Sequence, residues 1–311
     1  MAAVRWALLL AYGVFAIVMV AWNGVPFDRE QVLLWACGAL AIVCVGRPMA
    51  EIGRLVRDWI PFAVLLVAYD YTRGLADTLG MPVHVSEMID VDRVLGLGQV
   101  PTVRLQDALF DPYAVHWWDV GTALVYNSHF FAVYVIAAVL WARDRAAWGA
   151  FVRRFLALTF AGLATYVLFP AAPPWMAAAQ GRIDPVSRGS GRGWDALGLD
   201  GAATLLEKGQ GIVNPVAAMP SLHAAFALFI CLFFWRRVRR PMRIVLAAYP
   251  VAMGFALVYA GEHYVTDVLL GWVYVAAVMA GVAWCERRWR ARPPSRSGSA
   301  SPGADVLEPR A

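Results

Sequence analysis

Eight stretches of the chain run almost free of charge for the length of a helix: residues 4–22, 31–46, 59–79, 117–141, 151–170, 219–235, 242–260 and 263–285. About 20 apolar residues in helical form cross the hydrocarbon of a bilayer. The pattern therefore predicts an all-α polytopic membrane protein. The second stretch is short, and the third and fourth carry polar residues, so seven spans stand as an alternative to eight. Two connections are long, 80–116 and 171–218. In the first, Val103, Leu105, Leu109 and Phe110 give residues 101–110 an apolar face behind Pro101. That predicts a short helix lying in the membrane interface. The second holds eight glycines from Gly181 to Gly211 and leads straight into Pro220. Its length and place predict a lid.

The organisation read from this pattern is an N-terminal transmembrane addition with its loop over 1–58, a core membrane domain over 59–285, and a tail over 286–311. The tail, rich in Arg, Pro, Ser and Gly, cannot bury apolar surface and is expected to be disordered. The first stretch has only Arg5 before it and no small-residue cleavage site after it. It reads as a retained anchor rather than a signal peptide.

Composition strengthens the membrane reading: 60% of residues are hydrophobic and 16% charged. The net charge of +5 is no sign of nucleic-acid binding, because the arginines fall in alternate loops. Arg47, Arg54 and Arg57 follow the second stretch, and Arg143, Arg145, Arg153 and Arg154 the fourth. Arg236, Arg237, Arg239, Arg240 and Arg243 follow the sixth. Arg287, Arg288, Arg290, Arg292 and Arg296 follow the eighth. Positive charge stays in the cytoplasm, which places both termini there and the two long connections outside. The abundance of Ala, Arg and Trp fits a GC-rich bacterial genome, hence a bacterial plasma membrane. Cys37, Cys44 and Cys231 lie in apolar stretches and Cys285 at a cytoplasmic end. They read as packing residues, without metal spacing or a disulfide framework.

Two segments carry chemistry. Met219-Pro220-Ser221-Leu222-His223-Ala224-Ala225 opens one apolar stretch, and Gly261-Glu262-His263-Tyr264-Val265-Thr266-Asp267 opens another. Positions i and i+4 share a helical face, so Asp267 can orient the His263 ring and stabilise its cation. His263 is then a candidate nucleophile towards phosphorus, and His223 a candidate general acid. Ser221 and the helix start behind it present N–H groups to a phosphate. The bland alternatives are an interfacial His263 with Asp267 paired inside the bundle, and a His223 that merely begins a helix. Both histidines fall at outer ends of spans, where nucleotides are scarce, so a lipid phosphate is the expected substrate. Two histidines and an aspartate lack a third metal ligand at usual spacing. No metal and no cofactor is expected.

The run Val258 to Gly271 resembles the third signature of the type 2 phosphatidic acid phosphatase (PAP2) superfamily. Pro220 to His223 resembles the second. The likeness is to the inositol-phosphorylceramide-synthase-like branch, which has Pro-Ser-x-His-Ala-Ala and Gly-x-His-Tyr-x-x-Asp. Asp92 to Gln106, Tyr126 to His129 and Pro170 to Trp175 also resemble that branch. The resemblance implies a PAP2-like helical core of six spans, here with about two N-terminal spans added, and a phospho-histidine reaction on a lipid phosphate. Three departures stand out. Leu222 replaces the usual Gly, Ala256-Leu257 replaces Ser-Arg, and no Lys-x6-Arg-Pro motif is present. The one lysine is Lys208.

Missing phosphate-binding cations fit a phosphodiester, with its single charge, better than a monoester. The expectation is a phosphotransferase acting on a hydroxyl acceptor, with a lipid phosphatase and a non-catalytic transporter or scaffold as alternatives. Arg73 is the first candidate for the phosphate cation. It shares a helical face with Asp70 and Asp77, so a structural ion pair is the alternative. Arg182, Arg188, Arg192 and Lys208 are weaker candidates. His129, beside Asn127 and Ser128, is either a packed polar core or an acceptor-binding group. His84 and His116 read as bystanders. Oligomeric state is not legible.

Overall fold

The computed structural model describes residues 1–23, 29–75, 78–196 and 214–291. Among them the chain forms twelve helices: α1 (Ala2–Asn23), α2 (Arg29–Cys44), α3 (Met49–Leu75), α4 (Ser86–Leu95), α5 (Pro101–Leu109), α6 (Trp117–Arg143), α7 (Arg145–Leu168), α8 (Pro174–Ala179), α9 (Arg192–Asp195), α10 (Leu222–Phe234), α11 (Arg240–Tyr259) and α12 (Val265–Arg290). All eight apolar stretches are helical. Five of the helices, α1, α6, α7, α11 and α12, are long and apolar enough to cross a membrane. The protein is an all-α membrane protein.

The other three stretches depart from simple spans for different reasons. α3 is long, but Glu51, Arg54, Arg57 and Asp58 occupy its first half. α2 has 16 residues. α10 has 13 residues, about 20 Å of helix against about 30 Å of hydrocarbon. Buried residues from Leu222 to Phe233 lie all around α10. Its apolar run is thus core sequence, packed by other helices and not by lipid.

The core sits where α3, α6, α7 and α10 meet. Trp59, Phe62, Tyr134, Trp141, Phe151, Phe155, Phe226, Phe229 and Phe233 fill it. At the arginine-rich end, ion pairs lock the helix ends together. Arg145 joins Glu51 at 2.9 Å and Asp58 at 3.5 Å, and its guanidinium lies over the Trp141 ring. Arg153 and Arg154 each meet Glu286 at 2.7 Å. Glu286 to Arg290 belong to α12, so the sequence-based tail boundary at 286 falls too early. Two arginines of α7 hold the Glu286 carboxylate, and the helix continues past it. Residues 292–311 lie outside the described part.

At the opposite end, the expected short helix is present as α5, with Pro101 in its first turn. α4 was not anticipated. Two isolated parallel bridges, His84 with Ala171 and Ala171 with Ala217, tie the two long connections together. Residues 197–213 of the expected lid, including Lys208, are outside the described residues, as is Asp77. The flanks of that connection are packed, and Asn214, Val216 and Ala218 are buried. Of the cysteines, Cys44 and Cys231 are buried, Cys37 is half-buried and Cys285 is exposed, all as free thiols.

Candidate active site

Two helix starts are brought together. Ser221 caps α10, its Oγ accepting from Ala224 N at 3.3 Å. Its own backbone N–H donates to Asp267 O at 3.0 Å. The two motifs are therefore stitched backbone to backbone. Gly271 permits this approach, because a Cβ there would lie 2.5 Å from Ser221 O. Tyr166 from α7 donates its hydroxyl to Pro220 O at 2.8 Å. Leu222, at the position where Gly is usual, packs over Gly162 of α7.

His263 lies just before α12. Its Nδ1 is 3.4 Å from Asp267 Oδ2, which also accepts from Tyr264 N at 2.9 Å. The His–Asp contact is long for a hydrogen bond but close for an ion pair. Asp267 is fully buried. A carboxylate from α4 completes the helix start. Asp92 accepts from Val265 N at 3.0 Å, from Thr266 N at 2.8 Å and from Thr266 Oγ1 at 2.6 Å. Burial raises the Asp92 carboxyl above its ordinary range, and these donors pull it back. Asp92 thus acts as a detached N-cap for α12, supplying the acceptor that the helix start needs.

The His223 and His263 rings stand 5.7 Å apart, tilted by 55°. His223 is clamped by α6. His129 stacks on it at 3.8 Å and Tyr126 at 4.9 Å. Tyr126 and His129 are i and i+3, so one face of α6 supplies both plates. Phe226 lies parallel to His129 at 5.2 Å. His223 Nε2 is buried and has no hydrogen-bond partner among the described residues. The same holds for Arg73 Nε. Asn214 Nδ2 donates to Arg73 O at 3.1 Å, which fastens α3 to the stretch of chain leading into Ser221.

All six sequence-chosen residues, Ser221, His223, His263, Asp267, Arg73 and His129, therefore gather in one region. Two of the lid arginines, Arg188 and Arg192, are engaged within the protein. Arg188 pairs with Glu262 at 2.8 and 3.1 Å and lies over Trp175. Arg192 donates to the carbonyls of Asp111 and Ala114. His84 stacks on Phe169 and contacts Glu87 at 2.7 Å, while His116 stacks on Trp118. Among the described residues, no group of three His, Cys, Asp or Glu is arranged to hold a metal ion. Tyr126, Asp92 and the Glu262 pair escaped the reading of the chemistry. Only the Asp92 and Tyr126 segments left a trace, as stretches of family likeness.

Over 262 residues, the chain is 28% identical to the phosphoinositol dihydroceramide synthase of Bacteroides thetaiotaomicron, covering 78% of this chain and 80% of that protein. No solved structure matches. The PAP2 superfamily matches residues 86–281, which leaves Arg73 outside the match and both histidine motifs within it. That is well over half of the chain, and the protein accordingly belongs to the PAP2 superfamily as a membrane enzyme, a lipid phosphotransferase or phosphatase.

Proposed function

We propose that this enzyme moves a phosphate-containing head group from a phosphodiester lipid to a hydroxyl acceptor. The observation that carries the reading is the pair of histidine rings 5.7 Å apart, with Asp267 behind one and a stacked clamp behind the other. With its Nδ1 side turned to Asp267, His263 has Nε2 left to attack phosphorus. The bond from phosphorus to the lipid oxygen breaks, and His223 gives that oxygen its proton. Asp267 stabilises the positive ring, and Arg73 offsets charge on the phosphoryl oxygens. The acceptor hydroxyl then attacks phosphorus and passes its proton to His223. The nitrogen–phosphorus bond breaks and both histidines return to their starting states.

Transfer is favoured over hydrolysis because the site offers few cations. Arg188 is occupied by Glu262, and Arg73 Nε stands without a partner among the described residues. One arginine suits a singly charged diester better than a doubly charged monoester. The relative's name describes a synthase joining phosphoinositol and dihydroceramide, which supports a lipid alcohol as acceptor here. The arginine distribution supports a site facing away from the cytoplasm. Nanodiscs holding the purified enzyme, headgroup-labelled diester and monoester lipids and candidate alcohols test this. Acceptor-dependent transfer that disappears in His263→Ala is expected. Release of inorganic phosphate from monoesters without an acceptor would make the enzyme a phosphatase.

A further inference from the structure

A cavity of about 310 Å³ opens on the same end of the molecule as the histidines, between the α4–α5 turn and residues 181–184. Val100 and Val103 line it and belong to the same buried apolar cluster as Tyr264, the residue after His263. Its walls are polar: Arg93, Arg182, Gln99 and Asp184. Arg182 has no side-chain partner among the described residues, and Arg93 reaches only Asp90, at 3.9 Å with both groups well exposed. Such a pair contributes little. Two guanidiniums therefore face the cavity with most of their donors unused.

The rim adds a second, independent observation. Next to Arg93 and Gly98 in the chain stand Val94, 76% exposed, and Leu97, 88% exposed. Leu97 has φ 56°, a left-handed backbone that leucine rarely adopts. The turn is nonetheless held, with Gly98 N donating to Arg93 O at 2.7 Å and Arg104 Nη2 donating to Gly96 O at 2.9 Å. Among the described residues, none covers this leucine. A bilayer would, because α4 is fastened through Asp92 to the start of the membrane-crossing helix α12.

We propose that the cavity binds the head group of an anionic phospholipid, with its phosphate between Arg93 and Arg182 and its acyl chains beside Val94 and Leu97. Gln99 and Asp184 accept hydrogen bonds from head-group hydroxyls. The site is separate from the one that transfers phosphate and does not depend on that mechanism.

Binding to the purified full-length protein tests it, with dihexanoyl phosphatidylglycerol, dihexanoyl phosphatidylcholine and inorganic phosphate as probes. The glycerol lipid is expected to bind tightest. Arg182→Gln, at an exposed position, is expected to weaken it about tenfold, and Arg93→Gln with Arg182→Gln further. Leu97→Asn, which tolerates the left-handed turn, is expected to weaken it about threefold. Inorganic phosphate binding as tightly as the lipid, and indifferent to Leu97→Asn, would overturn the lipid assignment. Binding that survives both arginine changes would overturn the cavity itself. Binding lost in Arg73→Gln but not in Arg182→Gln would assign the lipid to the catalytic histidines instead. Because the readout is binding, none of these results bears on phosphoryl transfer.

Discussion

The two histidines have different surroundings, and under the proposed mechanism the difference separates their roles. His263 has a carboxylate behind it, whereas His223 has flat rings on its faces. A nucleophile is needed whatever the leaving group, but a general acid is needed only when the leaving oxygen is basic. His223→Ala is thus expected to lose about a hundredfold or more in turnover with a lipid substrate, and to recover most of it with a nitrophenyl phosphodiester. His263→Ala is expected to be inactive with both. Recovery of His263→Ala by the activated ester would reverse the assignment. The His129 plate can be tested by its shape. His129→Phe keeps a flat ring against His223, and His129→Ala does not. The phenyl variant is expected to retain most of kcat, while the alanine variant loses about threefold to tenfold. An equal rise of the acceptor KM in both, with kcat unchanged, would instead mean that the imidazole nitrogens hold the acceptor.

At the scale of elements, the site depends on how closely α12 passes the start of α10. Gly271→Ala would drive a methyl group into Ser221 O. Rigid backbone cannot yield as a side chain does, so a cost of about 1–3 kcal/mol in stability is expected, with turnover falling as the two motifs part. A thermal melt of the variant in detergent, run beside an activity assay, measures both. An unshifted melt would show that the helices have room to separate. The apolar runs that became α1, α6, α7, α11 and α12 were plain in the sequence, because lipid-facing and core-facing residues are both apolar. α10 shared that pattern although lipid does not surround it, so its burial could not be read from it. α4 was hidden for the opposite reason. Its ten residues mix five apolar with four charged side chains, so no long uncharged run marks it as the spans are marked. Ser221, His223, His263 and Asp267 were legible because their spacing is local. The Arg188–Glu262 pair spans 74 positions and the Tyr126–His223 stack joins two helices. Such contacts exist only after folding.

For the whole molecule, the arginine-rich helix ends lie on one side and the 80–116 connection on the other, which predicts a sidedness that thiols can report. Cys285 is exposed near the arginine pole, and Tyr113, at 96% exposure, lies near the other. In intact bacteria, a membrane-impermeant maleimide is expected to label a Tyr113→Cys variant, and Cys285 only after permeabilisation. The reverse pattern would invert the topology. Along this axis the site is deep. His129 stands twelve residues after Trp117 in α6, about 18 Å below that helix's outer end, and the short α10 carries His223 to meet it there. A group reacting at that depth encounters partners that arrive within the sheet of lipid and not through the surrounding water. Molarity then loses its usual meaning for this enzyme. Under the proposed transfer, its rate would follow how crowded the donor and the alcohol are among their neighbouring lipids, so a cell could throttle the reaction by diluting them in two dimensions while the total amount of each stays the same.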